Sequence, residues 1–411
     1  MIKIVILTGY YYPEITAATH LLLNLAADLV KNNADVTVIT AFPSRGINEQ
    51  TRQQYLKKSK EITYDGIKII RVGLKSKTRK NFIRRTLRYI INSLAIYYTA
   101  KKIKSDIYLI YSTPPFLGLV GTFLSKKSPT VYNLQDIFPE SMIRAEILGK
   151  DNFIVKLLRI VENHIYKKYN HIITISEDLK KNLLSKRVPE EKISIVYNWI
   201  DPYSVIPIMR VENQLVIKYN LEPSDFFVTH CGNIGHLQNL ELIIDVAKKL
   251  EDNYPDIKFV FIGDGAWIGN IKEYILKKGA NNILILPFQP FDNISFVYSL
   301  GDVSLVTAKR GVSSCSVPSK TWSIMSAARA VLCSFDENSD LCRIIREANC
   351  GICVPSENES DLENALLSLY YNRKKTEKYG INGRKYILRN LTREQKTKDF
   401  YEILLKISLP L

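Results

Sequence analysis

Short apolar runs alternate along the chain with segments whose apolar positions recur every three or four residues, and the alternation continues almost from end to end. Runs of four to seven apolar residues followed by helical periodicity mark βαβ units and a parallel sheet. In the first half the strand candidates are IKIVILT (2–8), DVTVIT (35–40), IKIIRV (67–72), IYLIYS (107–112), TVYNL (130–134), HIITIS (171–176) and ISIVY (193–197). The second half repeats the pattern with FFVTH (226–230), KFVFIG (258–263), ILILPF (283–288), VSLVT (303–307), AVLCS (330–334) and GICV (351–354). The pattern predicts an α/β protein of two Rossmann-like, doubly wound parallel sheets. They are expected to face each other across a cleft at the carboxyl ends of their strands, where open α/β sheets hold ligands.

A chain of 411 residues also exceeds what one hydrophobic core usually serves. The stretch NWIDPYSVIPIMRVENQ carries two prolines and little periodicity, so the hinge is expected near 199–212, with domains 1–200 and 201–390 on either side. The remaining 391–411 holds Phe400, Ile403, Leu404 and Ile407 at helical spacing and needs a partner surface. The start, MIKIVILTGYYYPE, lacks the features of a secretory signal, and a cytoplasmic location is expected. The longest uncharged run, Ile107–Ser125, contains Ser-Thr-Pro-Pro and two glycines, which fits a strand, a turn and a short helix better than a membrane span.

Charge alters this picture once it is divided. Residues 1–200 hold 32 Lys+Arg against 16 Asp+Glu, whereas 201–411 hold 25 of each, so the whole net charge of +16 belongs to the first half. From Gly66 to Ser105 there are twelve basic residues, Lys80, Arg84, Arg85 and Arg88 among them, and no acidic one. They are interleaved with Phe82, Ile83, Leu87, Tyr89, Ile90, Ile91 and Leu94, which gives a helix a cationic and an apolar face suited to an anionic membrane surface. A nucleic acid or an ordinary solvated face are the competing readings, and no nucleic-acid partner is expected.

All six cysteines lie in the second half. Cys350-Gly-Ile-Cys353 is a lone C-x-x-C without a second pair or a nearby histidine, and it reads as a glycine turn entering an apolar strand. With five histidines and no D-x-D triplet, no metal site or cofactor is expected.

Candidate chemistry is concentrated after strands. FVTHCGNIGHLQNL sets a strand against Gly232-x-x-Gly235 and a helix, a pattern that holds phosphate, yet Gly232–Leu242 contains no Lys or Arg. Cations follow in TAKRGVSSCSVPSKTW, with Lys309 and Arg310 at a strand end and Lys320 at a helix begun by Pro318 and Ser319. FIGDG supplies a further turn, Asp264-Gly265, which serves either the chain reversal or a ligand. In the first half Tyr12, Glu14 and Thr16 follow the first strand, and Asp136 and Glu140 follow a central one. Asp136 is placed to receive a proton from an attacking hydroxyl or to steady positive charge, with helix capping as the competing role.

The ordered set GYYYPE, STPPFLG, LQDIFPES, EKISIVYNWID, GNIGHLQNLE, FIGDG, LPFQP, GDVSLV and VPSKTWSIMSAARAV resembles family 4 glycosyltransferases of the GT-B fold, in the branch that builds bacterial O-antigen, capsule or colanic acid. The look is nearest to N-acetyl-L-fucosamine transferases. The resemblance implies a retaining, metal-independent transfer from a UDP-sugar, held by the second domain, to a saccharide on undecaprenyl diphosphate, held by the first, on the inner face of the plasma membrane. It also implies that the final helix returns to the first domain. On this reading Gly232, Asn233, Gly235, Gln238, Asp264, Gly265, Phe288, Lys309, Arg310, Pro318, Ser319, Lys320 and Ser323 form the donor site. Tyr12, Glu14, Thr16 and Glu140 contact the acceptor, and Asp136 and Lys320 are catalytic.

Two departures qualify the likeness. Where many members place Arg and Lys after the glycine turn, this chain has Asn233 and Gln238; where many have Glu-x7-Glu, it has Cys315 and Ser323. Lys320, with Lys309 or Arg310, is the expected replacement for the missing cations. A GT-B UDP-sugar epimerase and a non-catalytic nucleotide-sugar or polyanion binding protein are the rival functions.

Overall fold

The computed structural model describes residues 1–14, 17–76, 82–144 and 149–409. Two compact units divide it. The first comprises Met1–Ile143, the segment ending at Asn198 and the final segment from Glu394, and the second is built on Trp199–Arg393.

The first unit holds β1 (Lys3–Leu7), β2 (Asp35–Ala41), β3 (Lys60–Ile62), β4 (Lys68–Val72), β5 (Ile107–Tyr111), β6 (Thr130–Leu134), β7 (His171–Thr174) and β8 (Ile193–Ile195) in one sheet of order β3-β4-β2-β1-β5-β6-β7-β8. All neighbours are parallel except β3, which pairs antiparallel with β4 at the edge. Every residue of β5 and β6 is buried, as in a parallel sheet covered on both faces. The β3 strand, Lys-Glu-Ile, is three residues long and mostly exposed, too short to show a period in the sequence.

The second unit forms a six-stranded parallel sheet of order β11-β10-β9-β12-β13-β14. Its strands are β9 (Phe226–Asn233), β10 (Ile257–Asp264), β11 (Ile283–Leu286), β12 (Val303–Thr307), β13 (Ala330–Phe335) and β14 (Gly351–Pro355). Phe226, Val228, Phe259, Phe261, Leu305 and Leu332 from the strands meet Ile243, Ile244, Ala247, Leu362 and Leu366 from the helices in its core.

The final helix, Arg393–Ser408, packs within the first unit: Thr397 Oγ1 donates to Asp28 Oδ2 at 3.1 Å, and Phe400 and Leu404 are buried. The two passages of chain beside Ile200 and Thr392 run parallel, with Ile200 N–H donating to Leu391 O at 3.1 Å and Arg393 N–H to Ile200 O at 3.0 Å.

The helix Phe82–Ala100 differs from expectation at one member of its cationic face, Arg88. Leu87, Ile91, Leu94 and Tyr98 are exposed along one stripe, whereas Arg88, Asn92 and Ser93 are buried on the opposite one. Arg88 therefore does not belong to a cationic surface. Its guanidinium donates to the Ser76 carbonyl, to Ser76 Oγ at 3.1 Å and to Phe42 O at 3.3 Å, while Asn92 Oδ1 accepts from Leu74 N–H at 2.9 Å. The buried polar side chains close the β4 connection by satisfying backbone groups that would otherwise lack partners. Arg84 and Arg85 are exposed at the helix start; Lys80 lies outside the described residues. Among the described residues no helix is long and apolar enough to cross a membrane.

Candidate functional site

The glycine turn of the second unit is built differently from its sequence outline. Strand β9 does not end at His230 but continues to Asn233, pairing Gly232 with Gly263 and Asn233 with Asp264 of β10. Close backbone approach explains the glycines here: a Cβ on Gly263 would stand 1.9 Å from Gly232 O, and one on Gly265 2.1 Å from Ile234 O. GNIG and FIGDG, separate turns in the sequence, are thus one junction. Gly232, at φ +114°, faces open space on the side where a Cβ would project.

Beyond it, Gln238 Oε1 accepts from Gly235 N–H at 3.0 Å and from Asn233 Nδ2 at 3.2 Å, so both amide side chains brace the turn. A single turn of 3-10 helix, His236–Gln238, and the left-handed Asn239 separate the glycines from the Leu240–Leu250 helix. The helix therefore starts later than a phosphate cradle of the expected form requires.

Cations reach this turn through two histidines. Lys320 Nζ lies 3.1 Å from His230 Nδ1, and His230 Nε2 lies 3.4 Å from Asn233 O. Burial, and then the Lys320 charge, push the His230 pKa well down and keep the ring neutral. With the ammonium donating to Nδ1, the ring proton is on Nε2 and is directed at Asn233 O. Burial likewise lowers the Lys320 pKa to about 8. On the other side Lys309 Nζ lies 2.5 Å from His236 Nε2, and its backbone N–H donates to Leu237 O at 2.9 Å. His236 packs edge-on against Trp267 at 4.7 Å, and Trp267 Nε1 donates to Glu241 Oε1 at 2.6 Å. Among the described residues neither lysine has a carboxylate ion-pair partner.

The loop between the lysines is held from below by Asp336, just after β13. Its carboxylate accepts from Gly311 N–H at 2.7 Å, Ser313 N–H at 3.1 Å and Ser313 Oγ at 2.7 Å. Arg310 is exposed on this loop. Pro318 O accepts from Thr321 N–H at 3.1 Å and from its Oγ1 at 2.8 Å, closing the first turn of the Lys320–Ser326 helix. Ser319 sits at the N-cap position without a side-chain capping bond. Ser323 hydrogen-bonds the buried Tyr298 side chain. Cys315, at one of the two positions where many family members carry Glu, is buried with its thiol donating to Val312 O at 3.3 Å. Asp264 is exposed and accepts from Gly265 N–H at 2.7 Å, and Phe288 is 68% exposed.

In the first unit Asp136 follows β6 and borders a partly open groove lined by Ser112, Pro115, Phe116, Phe138, Leu158 and Val161, with Glu162 and Tyr166 deeper. Asp136 is accessible to solvent, yet the surrounding protein raises its pKa to about 6 through desolvation. Glu140 does not present a free carboxylate: Arg159 Nε donates to Oε1 at 3.2 Å, and Lys186 Nζ lies 3.7 Å from Oε2. Lys186 also binds Glu162 at 2.7 Å, making Glu140 part of an ion network.

Glu14, after β1, is buried and accepts from Ser44 N–H at 2.8 Å and Arg45 N–H at 2.9 Å. Desolvation outweighs these bonds and lifts its pKa to about 7. Tyr12 is half exposed and meets the Tyr55 ring edge-on at 5.8 Å. Thr16 lies outside the described residues.

His230, His236, Trp267 and Asp336 escape a reading by motif. The one hint for His230 is a titratable residue beside Thr229 in the run that begins β9; Asp336 acts through a loop more than twenty residues earlier, which no local pattern reveals.

Residues 18–203 match the model of Glycosyltransferase Family 4, and residues 212–386 match that of the Glycosyl transferases group 1. The two matches adjoin and span both sheets: the chain belongs to the family 4 glycosyltransferases of the GT-B fold. It is 26% identical over 262 residues to the probable glycosyltransferase WbjE of Pseudomonas aeruginosa, covering 63% of this chain and 65% of that protein. To WcaI of Escherichia coli K12, a glycosyl transferase assigned to colanic acid biosynthesis, it is 24% identical over 66% of each chain. Both matches span just under two thirds of the relatives' own length. The fold is that of HepE from Anabaena, solved with UDP-glucose, at a TM-score of 0.74 and 14% identity over 99% of this chain and 100% of that one.

Proposed function

We propose that the protein transfers a sugar from a UDP-sugar, with retention and without a metal ion, to a saccharide carried on a lipid diphosphate during bacterial surface polysaccharide synthesis. One observation carries the donor half: two lysines that have no carboxylate partner among the described residues, each seated on a histidine at or beside the β9 turn, around backbone that glycine keeps open. A diphosphate supplies the negative charge this arrangement lacks. Its growing charge as UDP departs is stabilised by Lys320 and Lys309, whose positions are fixed before the reaction begins. HepE, of the same fold, has been solved with UDP-glucose, which supports a uridine nucleotide as donor.

Asp136, with its raised pKa, is the group proposed to receive the acceptor hydroxyl proton. The groove beside it, walled by Pro115, Phe116, Phe138 and Leu158, suits the apolar part of an acceptor. Peripheral attachment to an anionic membrane on the cytoplasmic side is supported by the exposed Leu87, Ile91, Leu94 and Tyr98 stripe, with Arg84 and Arg85 at its start. WcaI, named for colanic acid biosynthesis, supports a place in surface polysaccharide synthesis, and the resemblance of the motifs makes an N-acetylated sugar such as N-acetyl-L-fucosamine the donor to try first.

The test is UDP release, with product mass, across a panel of UDP-sugars and a lipid-diphosphate N-acetylglucosamine acceptor. Acceptor-dependent release with an anomerically retained product is expected, unchanged by a chelator. Conversion of a UDP-sugar without acceptor would instead identify an epimerase, and binding without turnover across the panel a non-catalytic receptor.

A further inference from the structure

The cysteines of the second unit are arranged in a way that their sequence spacing conceals. Cys353 does not face Cys350, its C-x-x-C partner. It stands beside Cys333, its register neighbour on β13, and Cys342 closes over both from the helix Asp340–Glu347. The three sulfurs lie within 4.8 Å of one another; Cys333 and Cys342 are buried and Cys353 is partly exposed.

Three elements far apart in sequence thus converge on one all-sulfur triangle. A zinc-class ion bonded at about 2.3 Å wants sulfurs about 3.8 Å apart, which small side-chain rotations from this starting point achieve. Ser339 Oγ caps the helix by accepting Cys342 N–H at 3.2 Å, which sets Cys342 in the positive first turn. Among the described residues no histidine or carboxylate joins the cluster, so the donor set is soft.

We infer that Cys333, Cys342 and Cys353 form a binding site for one thiophilic metal ion of the zinc class, with its fourth position open on the Cys353 side. Each sulfur–metal bond forms as a thiol proton leaves to solvent, and no electron is transferred. The ion ties β13, β14 and the helix after Asp336 together, bracing the segment from which Asp336 holds the Lys309–Arg310 loop. It takes no part in the transfer reaction, so this site and the donor site stand or fall separately.

The probe is Cd²⁺, titrated into the reduced full-length protein. The expected result is a thiolate-to-cadmium ultraviolet band that saturates at one equivalent, is weakened by Zn²⁺ in large excess, and comes with protection of all three cysteines from alkylation. Cys353→Ser, the least buried of the three, is expected to weaken binding at least tenfold and to abolish the metal-induced rise in Tm, while Cys350→Ala keeps both. Equal melting of metal-free wild type and Cys353→Ser establishes that the variant folds. No saturable band in the wild type, or the same band and affinity in Cys353→Ser, overturns the site.

Discussion

Lys320 shows how a single side chain can carry charge that its surrounding sequence omits. In the proposed function a diphosphate binds its protonated form, and with a pKa near 8 that form declines in mildly alkaline solution. The donor kcat/KM is therefore expected to fall above about pH 8, whereas in Lys320→Arg, which stays charged, the limb disappears. Lys320→Ala should lower donor kcat/KM at least tenfold; values of kcat and KM within twofold of wild type would reject its role. As the proposed proton acceptor, Asp136 should set the opposite limb. It accepts a proton only when ionised, so kcat should drop below about pH 6, and Asp136→Asn should reduce kcat by about 10² or more with Tm unchanged. Glu14 affects stability. Its folded pKa of about 7 exceeds the ordinary 4.5, so its contribution is fully favourable below 4.5 and is lost as pH rises through 7. Glu14→Gln, which keeps an acceptor for Ser44 and Arg45 N–H, is expected to unfold less readily than wild type at pH 8, by on the order of 2 kcal/mol, and to lose this advantage near pH 5. Denaturant titrations at the two pH values measure it.

At the scale of elements, the apolar runs located thirteen of the fourteen strands among the described residues, because buried parallel strands are continuously apolar and need no partner to be recognised. What stayed hidden depended on contacts distant in sequence. The extension of β9 through Gly232 exists because Gly263 lies alongside, and a glycine pair on adjacent strands resembles two ordinary turns when each is read alone. The helix Phe82–Ala100 is another such case: its amphipathic pattern is plain, but the inward turn of Arg88 follows from its hydrogen bonds to the carbonyls of Phe42 and Ser76, which helical spacing does not reveal. In the candidate site the lysines and glycines were legible as residue types, whereas the histidines joining them were not. Exposed leucine and isoleucine add little to folding stability, so Leu87→Glu with Ile91→Glu should leave Tm within a few degrees of wild type. Binding to vesicles rich in anionic lipid should nevertheless weaken at least tenfold in a flotation assay, and unchanged flotation would exclude this stripe as the membrane face.

For the whole molecule, the charge division agrees with the division of the fold: the sheet of the first unit is made from the half that carries the entire positive excess. Screening by salt should accordingly reduce vesicle binding in a way that buried apolar contact alone does not. The path of the chain has a consequence for assembly. The first unit is left at Asn198 and completed only by the segment from Glu394, whose Phe400 and Leu404 fill its surface and whose Thr397 meets Asp28. During synthesis the first half therefore waits, with an apolar seat uncovered, while almost two hundred further residues are translated. A ribosome-released fragment of residues 1–198 should aggregate or bind chaperones, and a peptide of residues 393–409 supplied in trans should rescue its solubility. The last helix thus acts as a late-arriving cover: a chain cut short anywhere in the second unit leaves the first unit unfinished as well, so truncated products should be marked for disposal by the very surface they fail to cover.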